Sequence, residues 1–188
     1  MFPIALALLG VVLATNLVNN LQLLDESNQC LGCDLQGAKL NGARLKQADL
    51  TEADLSRSEL LGADLISAKL TKAILIQAKL RYSDLRGANL AQADLRRAKL
   101  QNANLALANL SNTDLRGADL RGADLSGARL WRTDLANTNL VGAVMTHAVV
   151  VNTNLKDAVL SSFTLNNAKL CGTIPPDGTT SDRHCPRP

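Results

Sequence analysis

Residues 118–127 read ADLRGADLSG and show two units of a five-residue pattern that runs without insertion from Cys33 to Gly172. Each unit has a small residue and, two positions later, a leucine, which only Met145 and Val150 replace. An α-helix advances about 100° per residue, so leucines five apart would lie on every face of a helix. A straight β-strand alternates its faces and would expose every second leucine. The pattern therefore predicts a solenoid in which the chain turns once per unit and every leucine points inward.

The other positions of the unit agree with a solenoid. The small residue is usually Ala, as at Ala48, because the sides of a coil converge there and close packing leaves no room for branching. Asp or Asn often precedes the leucine, where its side chain can bond to nearby backbone at a corner. Burial of one Leu side chain contributes about 1.5–3 kcal/mol. We therefore expect Leu95→Ala, in the middle of the stack, to cost about 2–5 kcal/mol.

Three of these units, ADLTE at residues 48–52, ADLRG at 118–122 and ADLSG at 123–127, resemble the A-(D/N)-L-x-x pattern of pentapeptide-repeat proteins. The resemblance covers residues 33–172. It implies an all-β fold, the right-handed quadrilateral parallel β-helix, with four units per coil and about seven coils stacked about 4.8 Å apart. A short N-terminal α-helix is expected to cap the first coil, because an open solenoid end exposes apolar side chains and strand edges.

We divide the chain into a signal peptide or N-terminal anchor, a helical N-terminal cap that leads into the coils, the β-helix, and a C-terminal cap or tail, which cover residues 1–14, 15–32, 33–172 and 173–188. The first segment is apolar and ends in small residues, which favours cleavage after Ala14, although no Lys or Arg precedes it. In the second segment, a helix over residues 16–26 would place Leu17, Leu21 and Leu24 on one face, against the first coil.

The four cysteines, Cys30, Cys33, Cys171 and Cys185, lie only near the two ends of the repeats. The rod that the resemblance implies would hold these ends roughly 30 Å apart, whereas a disulfide needs Cα atoms within about 7 Å. The resemblance thus implies the bridges Cys30–Cys33 and Cys171–Cys185, which require an oxidising compartment. The C-x-x-C spacing of the first pair also occurs in redox motifs, but the sequence around it lacks their βαβ pattern.

The sequence predicts no catalytic residue, cofactor site or metal site. His147 and His184 have no carboxylate or cysteine partners at ligand spacing. Stacking every 20 residues would bring together a column with several acidic residues, which are neutralised by the nearby Arg96 and Arg116 and so are not expected to form an acidic binding strip. That column consists of Asp34, Asp54, Ile74, Asp94, Asp114, Asp134 and Asn154.

The net charge of the repeats bears on one function that pentapeptide-repeat proteins can have, the protection of DNA gyrase. Some members protect DNA gyrase by resembling DNA, which requires an acidic rod. Here all 20 Lys and Arg follow residue 28, against 15 of the 17 acidic residues, so the rod is positively charged and a poor DNA mimic. The basic residues alternate with acids and lack interleaved aromatics, so we expect no nucleic acid as partner. No pattern in the sequence points to a small-molecule substrate.

One stretch departs from the polar exterior of the repeat. Outward positions become apolar in the last coils, with a tryptophan stacked one coil before the last of the valines, and the residues are Trp131, Val141, Val144, Val149 and Val151. A contiguous apolar patch would be a surface for a protein partner or for self-association. The alternative is a scatter of surface valines with good strand propensity.

The sequence therefore predicts a non-enzymatic structural or protein-interaction module whose partner is unidentified. The resemblance to exported cyanobacterial members implies a periplasm or a thylakoid lumen, and membrane contact is expected only if the first segment stays uncleaved. Two alternatives remain open. One is a cytosolic regulator of a nucleic-acid enzyme, of the gyrase-protecting type, and the other is a thiol redox protein that uses Cys30 and Cys33.

Overall fold

The computed structural model describes residues 4–161 and 164–179. These residues contain one helix and five short strands, which are α1 (Ile4–Ser27), β1 (Arg129–Trp131), β2 (Asn139–Leu140), β3 (Val149–Val151), β4 (Val159–Leu160) and β5 (Lys169–Cys171). Strands β1, β3 and β5 form one parallel sheet in that order, and β2 pairs with β4 in a second parallel sheet. Elsewhere in the described coils, neighbouring rungs are joined by isolated parallel bridges.

The pairing divides the rod into four sides. Every bridge joins residues 20 apart, as in the pair Asp34 and Asp54, so four units complete one coil, as predicted. We number the sides by the outward residues that pair along them: side 1 runs through Gln29, Asp49, Lys69, Asn89, Asn109, Arg129, Val149 and Lys169, side 2 from Asp34 to Ile174, side 3 from Lys39 to Val159, and side 4 from Arg44 to Val144. Because the sides follow one another around the coil, side 1 points away from side 3.

The core is the stack of central leucines and small residues that the repeat predicts. Leu50, Leu95 and Leu130, for example, are fully buried. Stacking extends beyond residues 33–172 at both ends, since Gln29 pairs with Asp49 and Asn154 pairs with Ile174. The extension is possible at the first end because Cys30 takes the position of a central leucine and is fully buried.

Residues 54–58 show how every backbone amide of one unit finds a hydrogen-bond acceptor. The amides of Asp54, Leu55 and Arg57 donate to carbonyls of adjacent coils at 2.7–2.9 Å, and the amide of Ser58 donates to the carbonyl of Leu55 at 3.1 Å. The remaining amide, that of Ser56, donates to Oδ1 of Asp54 at 2.9 Å. Because buried or half-buried backbone groups need partners, this bond explains the Asp or Asn before the leucine and confirms its predicted corner role.

Each described five-residue unit turns through a residue with positive φ, two positions after its central leucine. Gly117 has φ 67°, and the non-glycine residues Arg97 and Leu107 adopt the same region with φ 57° and 61°. Glycine reaches this region freely, whereas other residues lose roughly 1–2 kcal/mol there. Stacking against adjacent coils therefore imposes the turn even where the sequence does not favour it.

The N-terminal helix covers the first coil but is longer than predicted. Leu24 is buried, Leu17 and Leu21 pack on the core, and the side-chain amide of Asn20 donates to the carbonyl of Asp34 at 2.9 Å. The helix begins at Ile4, well before the predicted residue 16, because the preceding apolar run is rich in Ala and Leu, which are strong helix formers. Within the described residues, no helix has the length and hydropathy needed to cross a membrane.

The last described residues close the stack through a turn. The amide of Asp157 donates to the carbonyl of Pro176 at 3.1 Å, which continues side 2 past Ile174. The amide of Gly178 then donates to the carbonyl of Pro175 at 2.9 Å, which closes a turn through Pro176 and Asp177, residue types that favour turns.

Candidate functional site

Strands β1, β3 and β5 build the surface that differs most from the rest of the rod. Their central residues point inward, and the residues on either side point outward. The register aligns Trp131 with Val151, and it aligns Arg129 with Val149 and Lys169. Two parallel columns of outward side chains therefore run along side 1.

These columns form a shallow groove of about 300 Å³, which is lined by Asn109, Ser111, Arg129, Trp131, Val149 and Val151. The Trp131 side chain is half-exposed, with a relative accessibility of 51 %. Val149 is 37 % exposed, and Val151 is partly exposed beside it. Three residues of the predicted apolar patch, Trp131, Val149 and Val151, are thus contiguous.

The other two residues of the predicted patch lie elsewhere. Val141 follows strand β2 on side 3, and Val144 pairs with Asp124 on side 4. Both are exposed, but the coil turns a corner between each of them and side 1. The prediction of one patch of five residues is therefore wrong for Val141 and Val144, because it followed chain order, whereas neighbours on one side are 20 residues apart.

Three cations that the predicted patch does not include lie beside Trp131 and the valines. Arg129 and Lys169 flank Val149 in its own column. The guanidinium of Arg132 lies 5.4 Å from the centre of the Trp131 ring, in a cation–π contact. We call the following set the Trp131 surface: Asn109, Ser111, Arg129, Trp131, Arg132, Val149, Val151 and Lys169. It has three positive charges and no negative one.

Of the two pairs of cysteines predicted to bridge, the first lies at the capped end of the rod. Cys30 and Cys33 form a disulfide with Cα atoms 5.2 Å apart. Cys30 is fully buried and Cys33 is 7 % exposed, so neither sulfur is presented to a substrate thiol, as redox chemistry would require. Cys171 lies in β5 and Cys185 lies outside the described residues, so the second bridge stays a prediction.

The column of acidic residues on side 2 is neutralised in its C-terminal part, where Arg96 and Arg116 lie as predicted. Arg96 pairs with Asp94 at 2.6 Å and approaches Asp114 at 3.8 Å, and Arg116 pairs with Asp114 at 2.6 Å and approaches Asp134 at 3.7 Å. The hydrogen bond from Arg116 to Asp114, and the attraction between their charges, hold the pKa of the Arg116 guanidinium above its ordinary range. Around Asp94, Asp114 and Asp134 the column therefore offers little uncompensated charge to a partner, whereas Asp34 and Asp54 take part in none of these ion pairs.

The surroundings of His147 are not those of a metal site. His147 is exposed at a corner with φ 61°, and His184 lies outside the described residues. Among residues 4–161 and 164–179, no group of three or more His, Cys, Asp or Glu side chains could hold a metal ion.

Comparison with known proteins agrees with the repeat pattern. The family model described as "Pentapeptide repeats" matches the chain in eight copies, over residues 29–60, 58–97, 88–127, 123–161 and 138–174. No curated protein matches the chain by sequence.

Several solved structures resemble this one. HetL, a pentapeptide repeat protein involved in heterocyst differentiation regulation in the cyanobacterium Nostoc sp. strain PCC 7120, is 35 % identical with a TM-score of 0.51, over 81 % of this chain and 78 % of HetL. Rfr23 from the cyanobacterium Cyanothece 51142 is 28 % identical with a TM-score of 0.41, over 80 % of this chain and 97 % of Rfr23. A pentapeptide repeat protein of the Arabidopsis thaliana thylakoid lumen is 28 % identical with a TM-score of 0.29, over 64 % and 68 % of the two chains. The match to the family model and the likeness to HetL show that this chain belongs to the pentapeptide repeat family, whose members fold as right-handed quadrilateral β-helices.

Proposed function

We propose that the chain is an exported, non-catalytic interaction module that binds a protein partner through the Trp131 surface. Pentapeptide repeat proteins are generally structural or interaction proteins and not enzymes. The observation that carries the proposal is the half-exposed Trp131 stacked beside Val151, because contiguous apolar groups on a soluble rod remain exposed at a cost unless a partner covers them. A half-exposed tryptophan is also among the side chains that most often dominate binding energy at protein interfaces.

Two features of the N-terminal end support export. The cap packs through Leu17, Leu21, Leu24 and the amide of Asn20, all of which follow the predicted cleavage site after Ala14. Removal of residues 1–14 would leave these contacts in place, so the cap does not depend on that segment for them. The bridge between Cys30 and Cys33 fits an oxidising compartment such as a periplasm or a thylakoid lumen, and the likeness to HetL favours a cyanobacterial source.

The charge of the chain disfavours the gyrase-protecting alternative. A rod that resembles DNA needs a continuous negative surface, whereas the Trp131 surface is positive and Arg96 and Arg116 interrupt the acidic column on side 2. The redox alternative is disfavoured by the burial of Cys30 and Cys33.

Photo-cross-linking in the native cell tests the interaction. We would replace Trp131 by benzoylphenylalanine and, in a control, replace Tyr82, which is 56 % exposed on side 3 and lies beneath Arg81 in a similar cation–π contact. We expect one identified protein to be linked to position 131 and not to position 82, and to bind the purified chain directly. Equal linkage at both positions, or none, would contradict the proposed surface.

Intact mass of the protein from its native cell tests the location. Export predicts a chain that begins at Thr15 and gains mass on reduction and alkylation, as two disulfides require. A chain that starts at Met1 with four free thiols would overturn both the export proposal and the predicted bridges.

A further inference from the structure

We infer that the Trp131 surface binds an acidic, extended protein segment that places one apolar side chain in the groove beside Trp131. The inference rests on the proposed function, because it assigns the chemistry of the partner at the same surface. It follows from the size of the groove, from the unpaired charge around it, and from the exclusion of two other occupants.

The groove is small and open, which suits one side chain better than an enclosed small-molecule ligand. Small-molecule pockets enclose about 300–1,000 Å³ and bury most of their ligand. The groove beside Trp131 holds only about 300 Å³ and is open along one side of the rod. Val149 and Val151 form its apolar floor, and Trp131 forms one wall. One aromatic or branched aliphatic side chain would fill it.

The positive charge around the groove favours a partner segment that carries carboxylates. Arg129, Arg132 and Lys169 are exposed, and in the part of the chain that the structure describes none of them forms an ion pair. Arg129 and Lys169 are two coils apart, or about 10 Å, which an extended segment of three or four residues spans. Carboxylates on such a segment would reach both cations while its apolar residue contacts Trp131.

A second copy of the chain is a poor occupant. A two-fold contact through the Trp131 surface would bring the same residues of both copies together. Arg129, Arg132 and Lys169 would then face their own counterparts, and the surface contains no carboxylate to offset them. Like charges brought together at an interface cost several kcal/mol, as judged from charge complementarity in known complexes.

Nucleic acid is also disfavoured. Single strands bind along tracks of cations interleaved with aromatic side chains on which successive bases stack. Trp131 is the only aromatic on this surface, and Val149 and Val151 occupy the positions next to it. The surface therefore has charge for phosphates but only one stacking site for bases.

The test selects ligands from a display library of random 12-residue peptides on the full chain, in parallel with the variants Arg132→Glu and Arg81→Glu. Both variants reverse one charge beside an exposed aromatic, but Arg81 lies on side 3. We expect peptides that combine Asp or Glu with Phe, Leu or Trp to be enriched on the wild-type chain and on Arg81→Glu, and to be lost on Arg132→Glu. Enrichment without acidic residues, equal enrichment on all three proteins, or no enrichment would overturn the inference.

Titration then measures the contact itself, because Trp131 is the only tryptophan in the chain. We would add the best peptide that lacks Trp and follow the emission of Trp131, with two comparisons: the same peptide with its apolar residue changed to Ala, and an oligo-dT strand. We expect a saturable change in emission, at least 10-fold weaker binding for the Ala peptide, and weaker binding of both peptides in 0.5 M salt. Equal binding of the Ala peptide or of oligo-dT would show a general polyanion surface and overturn the inference. The proposed function would survive that result if position 131 still cross-links to a protein, and would fail with it if the cross-link is also absent.

Discussion

Side 1 carries two different surfaces on one backbone. In its N-terminal half, Lys69 pairs with Asp49 at 3.1 Å and Lys72 pairs with Glu52 at 3.0 Å. In its C-terminal half, the same outward positions hold the Trp131 surface, with unpaired cations around an apolar groove. The backbone pairing is parallel and 20 residues apart in both halves. The outward residues therefore vary freely, while the inward residues maintain the coil.

The largest expected effect tests whether the inward residues alone hold the fold. Leu70 and Leu130 are both central residues of side 1 and both fully buried, but only Leu130 lies under the Trp131 surface. We expect Leu70→Ala and Leu130→Ala each to lower the free energy of unfolding by about 2–5 kcal/mol, because each leaves a cavity in a close-packed stack. Urea unfolding measures both. A Leu130 variant that is destabilised much less than its Leu70 counterpart would mean that the C-terminal coils are held differently.

The next effect concerns binding and not stability. Val151 and Thr71 occupy the same outward column of side 1 in the two halves. We expect Val151→Asp to leave the β-helix folded but to weaken partner binding at least 10-fold, or about 1.4 kcal/mol, because a carboxylate in the groove would neutralise the cations and repel an acidic segment. Thr71→Asp should bind like the wild type in the same pull-down and titration. Unchanged binding by Val151→Asp would contradict the proposed surface.

The fold is predictable from the sequence because the same five-residue pattern recurs throughout residues 33–172. Each five-residue unit repeats the same constraint, with an inward leucine, an inward small residue and an Asp or Asn that bonds to the backbone, as Asp54 does to Ser56. A single departure from the pattern, such as Val150 in place of leucine, does not change the prediction, because the neighbouring units keep the pattern. The helix start at Ile4 was missed because no repeat constrains it, and the sequence before residue 16 was interpreted as an apolar targeting segment.

The candidate site was predictable only in part. The sequence indicates Trp131, Val149 and Val151 because they interrupt the polar exterior, but chain order also groups Val141 and Val144 with them, although these two lie on other sides of the rod. The cations Arg129 and Lys169 were missed because they look ordinary as single residues. Whether the charge of each cation is paired depends on the residue 20 positions away, and for both Arg129 and Lys169 the strand partner is the uncharged Val149.

A smaller effect separates the two halves at a buried corner. Thr113, Thr133, Thr153 and Thr173 occupy the inward corner of the C-terminal coils, where Ala53, Ala73 and Ala93 stand in the N-terminal coils. The hydroxyl of Thr133 donates to the carbonyl of Leu110 at 2.7 Å. We expect Thr133→Val to cost about 0.5–1.5 kcal/mol, the net value of one hydrogen bond. In thermal unfolding, Thr133→Ser should retain more stability than Thr133→Val, since it keeps the donor. The reverse order would show that packing of the methyl group dominates.

The smallest effect follows the pKa of Asp49 in the N-terminal half. The hydroxyl of Thr51 donates to its carboxylate at 2.7 Å and Lys69 pairs with it at 3.1 Å, and these contacts lower the pKa of Asp49 below its ordinary value. A lowered folded-state pKa adds stability that is complete above the ordinary value of about 3.9 and is lost as pH falls through the folded-state value. We expect the stability difference between the wild type and Asp49→Asn, measured by urea unfolding, to shrink between about pH 5 and pH 2. A constant difference would mean that Asp49 acts through its shape and not its charge.

Asn109→Asp would transfer this ion pair to the C-terminal half. Asn109 precedes Arg129 by one coil, as Asp49 precedes Lys69, and the hydroxyl of Ser111 already donates to its side-chain oxygen at 2.7 Å. The new carboxylate should therefore pair with Arg129, reproduce the pH dependence of Asp49, and weaken binding of an acidic peptide because one cation of the Trp131 surface is now occupied. If stability gains the pH dependence but peptide binding is unchanged, Arg129 does not contact the partner, and the binding charge must come from Arg132 and Lys169.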